Sequence, residues 1–265
     1  MIALGDVQCR TPRLSPDGRQ LAFVAEEERK SGVYVGLLSE RSFERIAAEG
    51  DLRDPAWSPD GKRLAVSMRR ESGWGLATLA PDGKGLSWVT EGEEDRYPAW
   101  SPNGKRLAFA RSAGGTRDLY VLSSAGGEPT RLTDGASDDV QPAWSPDGQT
   151  LAFATDREGT WRVYLVSPDG SEQRRAADVV AEEPTWSPDG KRLAYVGTPD
   201  PRSARGPLPA GLCVLDLTSG EVARVKAGSG GHSPNWLPNG ANLLFARNFA
   251  LLLTTLDGHT PTPLE

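Results

Sequence analysis

Six short segments of this 265-residue chain, at 5–11, 49–54, 91–97, 134–141, 178–183 and 227–233, hold fourteen carboxylates, all in the first five. Only Arg10, Arg53 and Arg96 accompany them there, and the rest of the chain carries 22 acidic and 27 basic residues. Such sorting supports two kinds of chemistry. Carboxylates around a low-dielectric opening focus a negative potential and draw in cationic partners. They can also pool oxygen ligands for a hard cation: Ca²⁺ takes roughly six to eight, and Asp138, Asp139, Glu182 and Glu183 could offer several. A third chemistry is suggested by Cys9 and His232, since a thiolate beside an imidazolium is a nucleophile. Beyond that pair the catalytic vocabulary is thin. The chain contains no Gly-x-Ser-x-Gly elbow, phosphate loop or His-Glu-x-x-His motif, and its two histidines, His232 and His259, are too few for a histidine-rich metal site. Two cysteines, Cys9 and Cys213, make no disulfide framework.

The elements that must position these segments are legible as a repeat. One phrase recurs six times, from Pro12-Arg-Leu-Ser-Pro-Asp-Gly-Arg-Gln-Leu-Ala-Phe23 through Pro55-Ala-Trp-Ser-Pro-Asp-Gly-Lys-Arg-Leu-Ala-Val66 to the divergent Pro234-Asn-Trp-Leu-Pro-Asn-Gly-Ala-Asn-Leu-Leu-Phe245. Its leading prolines, Pro12, Pro55, Pro98, Pro142, Pro184 and Pro234, are spaced 43, 43, 44, 42 and 50 residues apart. Within a unit, Ser-Pro-Asp-Gly is a tight turn, with Pro presetting φ and Gly taking the positive-φ place. The turn joins a strand ending at Trp to the strand Arg-Leu-Ala-Phe, so the two form a hairpin. A third strand follows, such as 118–122 or 162–166, then another turn and a fourth strand such as 129–133. Four antiparallel strands per unit, with no helical periodicity, predict an all-β, six-bladed β-propeller as a single domain over 1–265. Both ends read as fourth strands: 1–4 aligns with Arg45-Ile-Ala-Ala48, and 260–264 with Glu128-Pro-Thr-Arg-Leu132. Ring closure by the N-terminal 1–4 as an outer strand is one expectation, and closure by the C-terminal strand is the other.

Repeats reading x-Pro-x-Trp-Ser-Pro-Asp-Gly-Lys-x-Leu-Ala-Phe resemble those of TolB-like propellers, relatives in form of the WD40-like repeat. The likeness covers essentially the whole chain. It implies a non-catalytic propeller acting as a protein- or peptide-binding scaffold, because that family engages a lipoprotein partner around its channel opening. Similar repeats also occur in gating propellers of prolyl oligopeptidase-type hydrolases, which implies an alternative role as such a propeller separated from its catalytic domain. A metal or small-molecule binder in the central channel is the remaining alternative.

The repeated tryptophans at 57, 100, 144, 186 and 236 are expected to pack between blades, with Leu14 in the first. Function belongs to what the repeat leaves variable. The residues flanking each leading proline begin the strand nearest the axis, so Arg10, Thr11, Arg53, Asp54, Asp95, Arg96, Tyr97, Asp139, Gln141, Glu183 and His232 are the partner-binding candidates. A longer segment in the fifth unit, 198–211, adds Arg202 and Arg205 on the same face. The expected partner is a basic protein or peptide. The net charge of −6 argues against nucleic acid, and no apolar run approaches the ~20 residues of a membrane helix. A monomer without a cofactor is expected, calcium being the one ion considered. The sequence as given reads as cytoplasmic, and as periplasmic or secreted if a signal peptide has been removed.

Overall fold

The computed structural model describes residues 2–3, 9–27, 30–46, 50–91, 94–197, 211–248, 250–256 and 262–263. Among them the regular elements are all strands, and no helix is long and apolar enough to cross a membrane. Six antiparallel sheets follow one another along the chain. The first is built from Arg10–Leu14, Gln20–Glu27, Lys30–Leu37 and Ser42–Arg45. The innermost strands of the other five are Leu52–Trp57, Asp95–Trp100, Asp139–Trp144, Ala181–Trp186 and His232–Trp236. Each sheet is therefore a blade built on four consecutive strands, the first with one more on its outer edge, and the six innermost strands surround the axis.

The second strand of every blade shows why this sequence stacks sheets. A sheet with one wet face would alternate buried and exposed residues. Here Leu107, Ala108 and Phe109, and likewise Leu151, Ala152 and Phe153, are all fully buried in succession. Both faces of the strand are covered, one by each neighbouring blade. Burial of large side chains on both faces at roughly 25 cal/mol per Å² is the main force holding the ring.

The tryptophans do more than the packing expected of them. Trp57 Nε1 donates to the Arg13 carbonyl at 2.9 Å, Trp100 to Ala56, Trp144 to Ala99, Trp186 to Ala143 and Trp236 to Thr185. Each indole thus ties its blade to the inner strand of the blade before. On the far face the Ser-Pro-Asp-Gly turns interlock in the same direction. Gly61 packs on Pro16, Gly104 on Pro59, and Gly18 of blade one on Pro238 of blade six. Gly18 has φ +71°, and a Cβ there would lie 3.2 Å from the Pro238 ring, so glycine serves both the turn and the close approach.

The two termini take different parts. Residues Thr262–Pro263 form the fourth strand of blade six, paired with that blade's own Ala250–Thr255. The N-terminal Ile2–Ala3 pairs with Ser42–Arg45 and becomes a fifth strand on the outer edge of blade one. Neither terminus supplies a strand to the other end's blade. Closure is by packing, through the cluster that joins Phe23 and Phe43 of blade one to Leu244 and Leu251 of blade six.

Candidate functional site

The six innermost strands share a defect that builds the site. In each, the pairing with the second strand slips at the leading proline, between Arg10 and Arg13, Arg53 and Ala56, Arg96 and Ala99, Val140 and Ala143, Glu182 and Thr185, and His232 and Asn235. Proline has no N–H to give to the ladder, so a bulge accommodates it. The residue before each proline takes the left-handed conformation: Thr11 (φ 45°), Asp54 (52°), Tyr97 (57°), Gln141 (55°), Glu183 (54°) and Ser233 (53°). None is glycine, and each costs about 1 kcal/mol or more. All six line one axial cavity of about 330 Å³. The repeat thus holds a ring of six different side chains at equivalent positions on a rigid frame.

The ring residues also hold one another. Asp54 Oδ2 accepts from the Tyr97 backbone N–H, Gln141 Oε1 accepts from that of Glu183 at 3.0 Å, and Glu183 Oε2 accepts from that of Ser233. Where the residue is long enough and carries an acceptor, it clamps the next blade's bulge. Thr11 is too short, and its buried hydroxyl oxygen has no hydrogen-bond partner among the described residues.

Five of the candidate positions therefore stand around the channel: Thr11, Asp54, Tyr97, Gln141 and Glu183. The sixth is Ser233 rather than His232, whose Nδ1 lies 3.4 Å from the Ser233 hydroxyl; the candidates were residues flanking each proline, and it is the one directly before the proline that lines the channel. Arg10 is exposed and meets Glu26 at 3.3 Å. Arg53 lies over the ring of Trp74 at 5.0 Å, and Arg96 at 4.7 Å from the same centroid. Arg202 and Arg205 fall outside the described residues, as does most of the 198–211 segment.

The acidic mouth is corrected in an important respect. Many of its carboxylates already have arginine partners. Arg96 Nε donates to Asp54 at 2.7 Å. Asp95 is fully buried and takes two bonds from Arg111, at 2.7 and 2.9 Å. Arg157 reaches the equally buried Asp139. Arg117 lies 3.7 Å from Asp138, and Arg162 and Arg175 flank Asp178. Asp95 and Asp139 are therefore internal struts rather than partner-binding residues. A linear count of charge missed this because most of the matching arginines lie outside the segments counted, on other strands or turns of the blade, and the one for Asp54 comes from the next blade. With Asp138 and Asp139 so engaged, the proposed calcium quartet does not assemble. Among the described residues no three His, Cys, Asp or Glu side chains converge as a metal site requires.

Glu182 and Glu183 stay outside these arginine pairs, having no ion pair within 4 Å among the described residues. Burial, then the neighbouring Glu183 charge, holds the Glu182 carboxyl above the usual range. The cysteine–histidine pair does not form. Cys9 packs among Leu21, Phe23 and Leu251, where burial pushes its thiol up to about 12; a thiol so placed stays protonated and inert.

One channel-lining residue was overlooked. Arg13 lines the channel at the second position of the repeat, where the other blades carry Ala56, Ala99, Ala143, Thr185 or Asn235. Aligning the repeats shows the anomaly, but nothing in the sequence says that this position faces the axis.

The signature of the TolB beta propeller domain matches residues 89–254. Among solved structures, one described as a TolB from Agrobacterium tumefaciens is 27% identical, with a TM-score of 0.76 over 88% of this chain and 87% of that one. TolB from Acinetobacter baumannii is 20% identical, with a TM-score of 0.78 over 93% of this chain and 64% of that one. A puromycin-hydrolyzing peptidase of Mycobacterium tuberculosis shares the fold at 21% identity and a TM-score of 0.65, over 89% of this chain and 38% of the peptidase. Comparison with the curated proteins gives no match.

Proposed function

This chain belongs to the TolB β-propeller domain family, and on that premise we propose that it is a non-catalytic scaffold binding a protein or peptide at the channel mouth. The observation that carries this reading is the ring of six left-handed bulges. A structural repeat would place one side chain six times; this one places Thr11, Asp54, Tyr97, Gln141, Glu183 and Ser233. Strained, non-repeated residues gathered at one opening of a rigid frame are what a recognition site needs. The mouth is bipolar, with Arg53 and Arg96 on Trp74 at blades two and three and the carboxylates of Glu182 and Glu183 at blade five. A partner segment would place its cationic side chain against that glutamate pair, keeping part of the basic-partner expectation.

The full-length protein, tagged and incubated with native extract of its own organism, tests the reading. Wild type and a Lys62→Glu control on the opposite face should retain the same partner, and Tyr97→Ala and Glu182→Lys should lose it. Equal retention by all four, or no specific partner at all, would overturn it. A second reading has the likeness to the peptidase behind it: the same channel would gate a hydrolase domain. Purification of a stable complex with a hydrolase, its activity altered by the mouth variants, would favour that reading instead.

A further inference from the structure

The lumen behind the ring contains two opposite charges that face the same space without touching. Arg13 has one hydrogen bond from its guanidinium, donated by Nη1 to the neighbouring Pro12 carbonyl at 2.9 Å. It has no ion pair within 4 Å among the described residues, although its side chain lines the axial cavity. Burial favours its neutral form, and the nearby charges of Glu183 and Asp54 oppose that effect. Of those two carboxylates, Asp54 is already matched by Arg96 at 2.7 Å. Glu183 is not: its one described bond is accepted from the Ser233 backbone N–H.

A desolvated guanidinium without a carboxylate is costly, and so is a desolvated carboxylate without a cation. In the simplest structural use the two would pair with each other, and they do not. Arg13 also stands where the fold asks for a small residue, as Ala56, Ala99 and Ala143 show. A guanidinium presents a fork of donors suited to a carboxylate. A carboxylate alone would be repelled by Glu183, and an ammonium alone by Arg13. A molecule carrying both satisfies both. Apart from Asp54, which Arg96 neutralises, the remaining lining carries no charge: the prolines, alanines and tryptophans of the repeat are apolar, and Tyr97, Gln141 and Asn235 add uncharged polar groups. At about 330 Å³ the cavity is near the lower end of ligand pockets, roughly 300 Å³.

We propose that the axial channel binds a small zwitterionic amino compound, its carboxylate on Arg13 and its ammonium on Glu183. A free amino acid and a short unblocked peptide share this chemistry. The inference deepens the mouth reading and rests on this end of the channel being the binding face. The two remain separable, since partner capture and small-ligand binding are measured independently: loss of either with the other intact sinks only the one that is lost.

Calorimetric titration and thermal melting of the whole protein provide the test, with alanine and trialanine as probes at millimolar concentration. At least one should bind and raise the melting midpoint, alanine alone pointing to a free amino acid and trialanine to a peptide. N-acetylation or C-amidation of the binding probe should each weaken it about tenfold or more, as expected for losing a charge-assisted contact. Arg13→Gln should remove the dependence on the carboxylate, Glu183→Gln that on the ammonium, and Arg13→Lys should keep weakened binding. The blocked probes need no variant, so the result stands even if a substitution impairs folding. No binding by either probe, or affinity that is undiminished by blocking the probe or by Arg13→Gln, overturns the proposal.

Discussion

Asn235 Nδ2 donates to the Pro12 carbonyl at 2.7 Å, joining residues 223 positions apart across the seam where blade six meets blade one. At the other five seams a tryptophan indole makes the bond between inner strands. Blade one has Leu14 in that place and no indole, and Asn235 stands where blades two to four have alanine. The seam is therefore fastened from the opposite side. Asn235→Ala should lower unfolding stability by about 1 kcal/mol, the net worth of a hydrogen bond. Urea denaturation should show a lower midpoint with an unchanged slope; an unchanged midpoint would mean apolar packing alone closes the ring.

Strain at the channel makes an opposite prediction. Thr11 is β-branched, sits at φ 45°, and buries a hydroxyl oxygen without a partner among the described residues. Thr11→Gly removes all three burdens at the expense of unfolded-chain entropy. The variant should be as stable as wild type or more so, by up to about 1 kcal/mol. A clear loss would show that the Thr11 side chain is held by contacts that outweigh its strain.

The buried struts should be among the least tolerant positions. Asp95 is fully buried and bonded twice by Arg111, so Asp95→Asn removes a buried charge to which both bonds are made. A destabilisation of about 3 kcal/mol or more is expected. Replacing both, as Asp95→Asn with Arg111→Leu, should recover much of it, which a double-mutant cycle measures.

The far face predicts a pH response. The Ser15 hydroxyl, then the Arg19 N–H, hold the Asp17 carboxyl below the usual range, and Ser58, Ser145 and Ser187 lead the same effect at Asp60, Asp147 and Asp189. A carboxylate whose folded pKa is depressed contributes stability above its unfolded value, near 4, and loses it as pH falls through the folded value. Acid unfolding should therefore steepen below about pH 4. Changing all four to Asn, the residue already present at 103, should flatten that limb. An unchanged acid limb would place the titration elsewhere.

Thiol chemistry separates the inert cysteines from the nucleophile suggested by the sequence. Burial raises both Cys9 and Cys213, so neither should react with a thiol reagent at neutral pH until the protein is unfolded. Rapid labelling of Cys9 in the native state would restore a reactive thiol to the mouth.

Much of this architecture was legible in the chain. Blade number, strand order and the Ser-Pro-Asp-Gly turns depend on local chemistry, the φ of proline and glycine and the alternation around them, and six near-copies repeat each signal. The residues flanking each leading proline were also recognisable as variable and near the axis, so Thr11, Asp54, Tyr97, Gln141 and Glu183 stood among the candidates; the bulge decided which flanking residue lines the channel. Only the tertiary structure decided the charges. Asp95, Asp139 and Asp54 looked like a free acidic rim because sequence shows neighbours along the chain, whereas Coulomb energy depends on distance in space. Their arginines come from other strands and other blades. The same holds for Arg13, ordinary in a list of residues, which the curvature of the ring brings into one cavity with Glu183, 170 positions away.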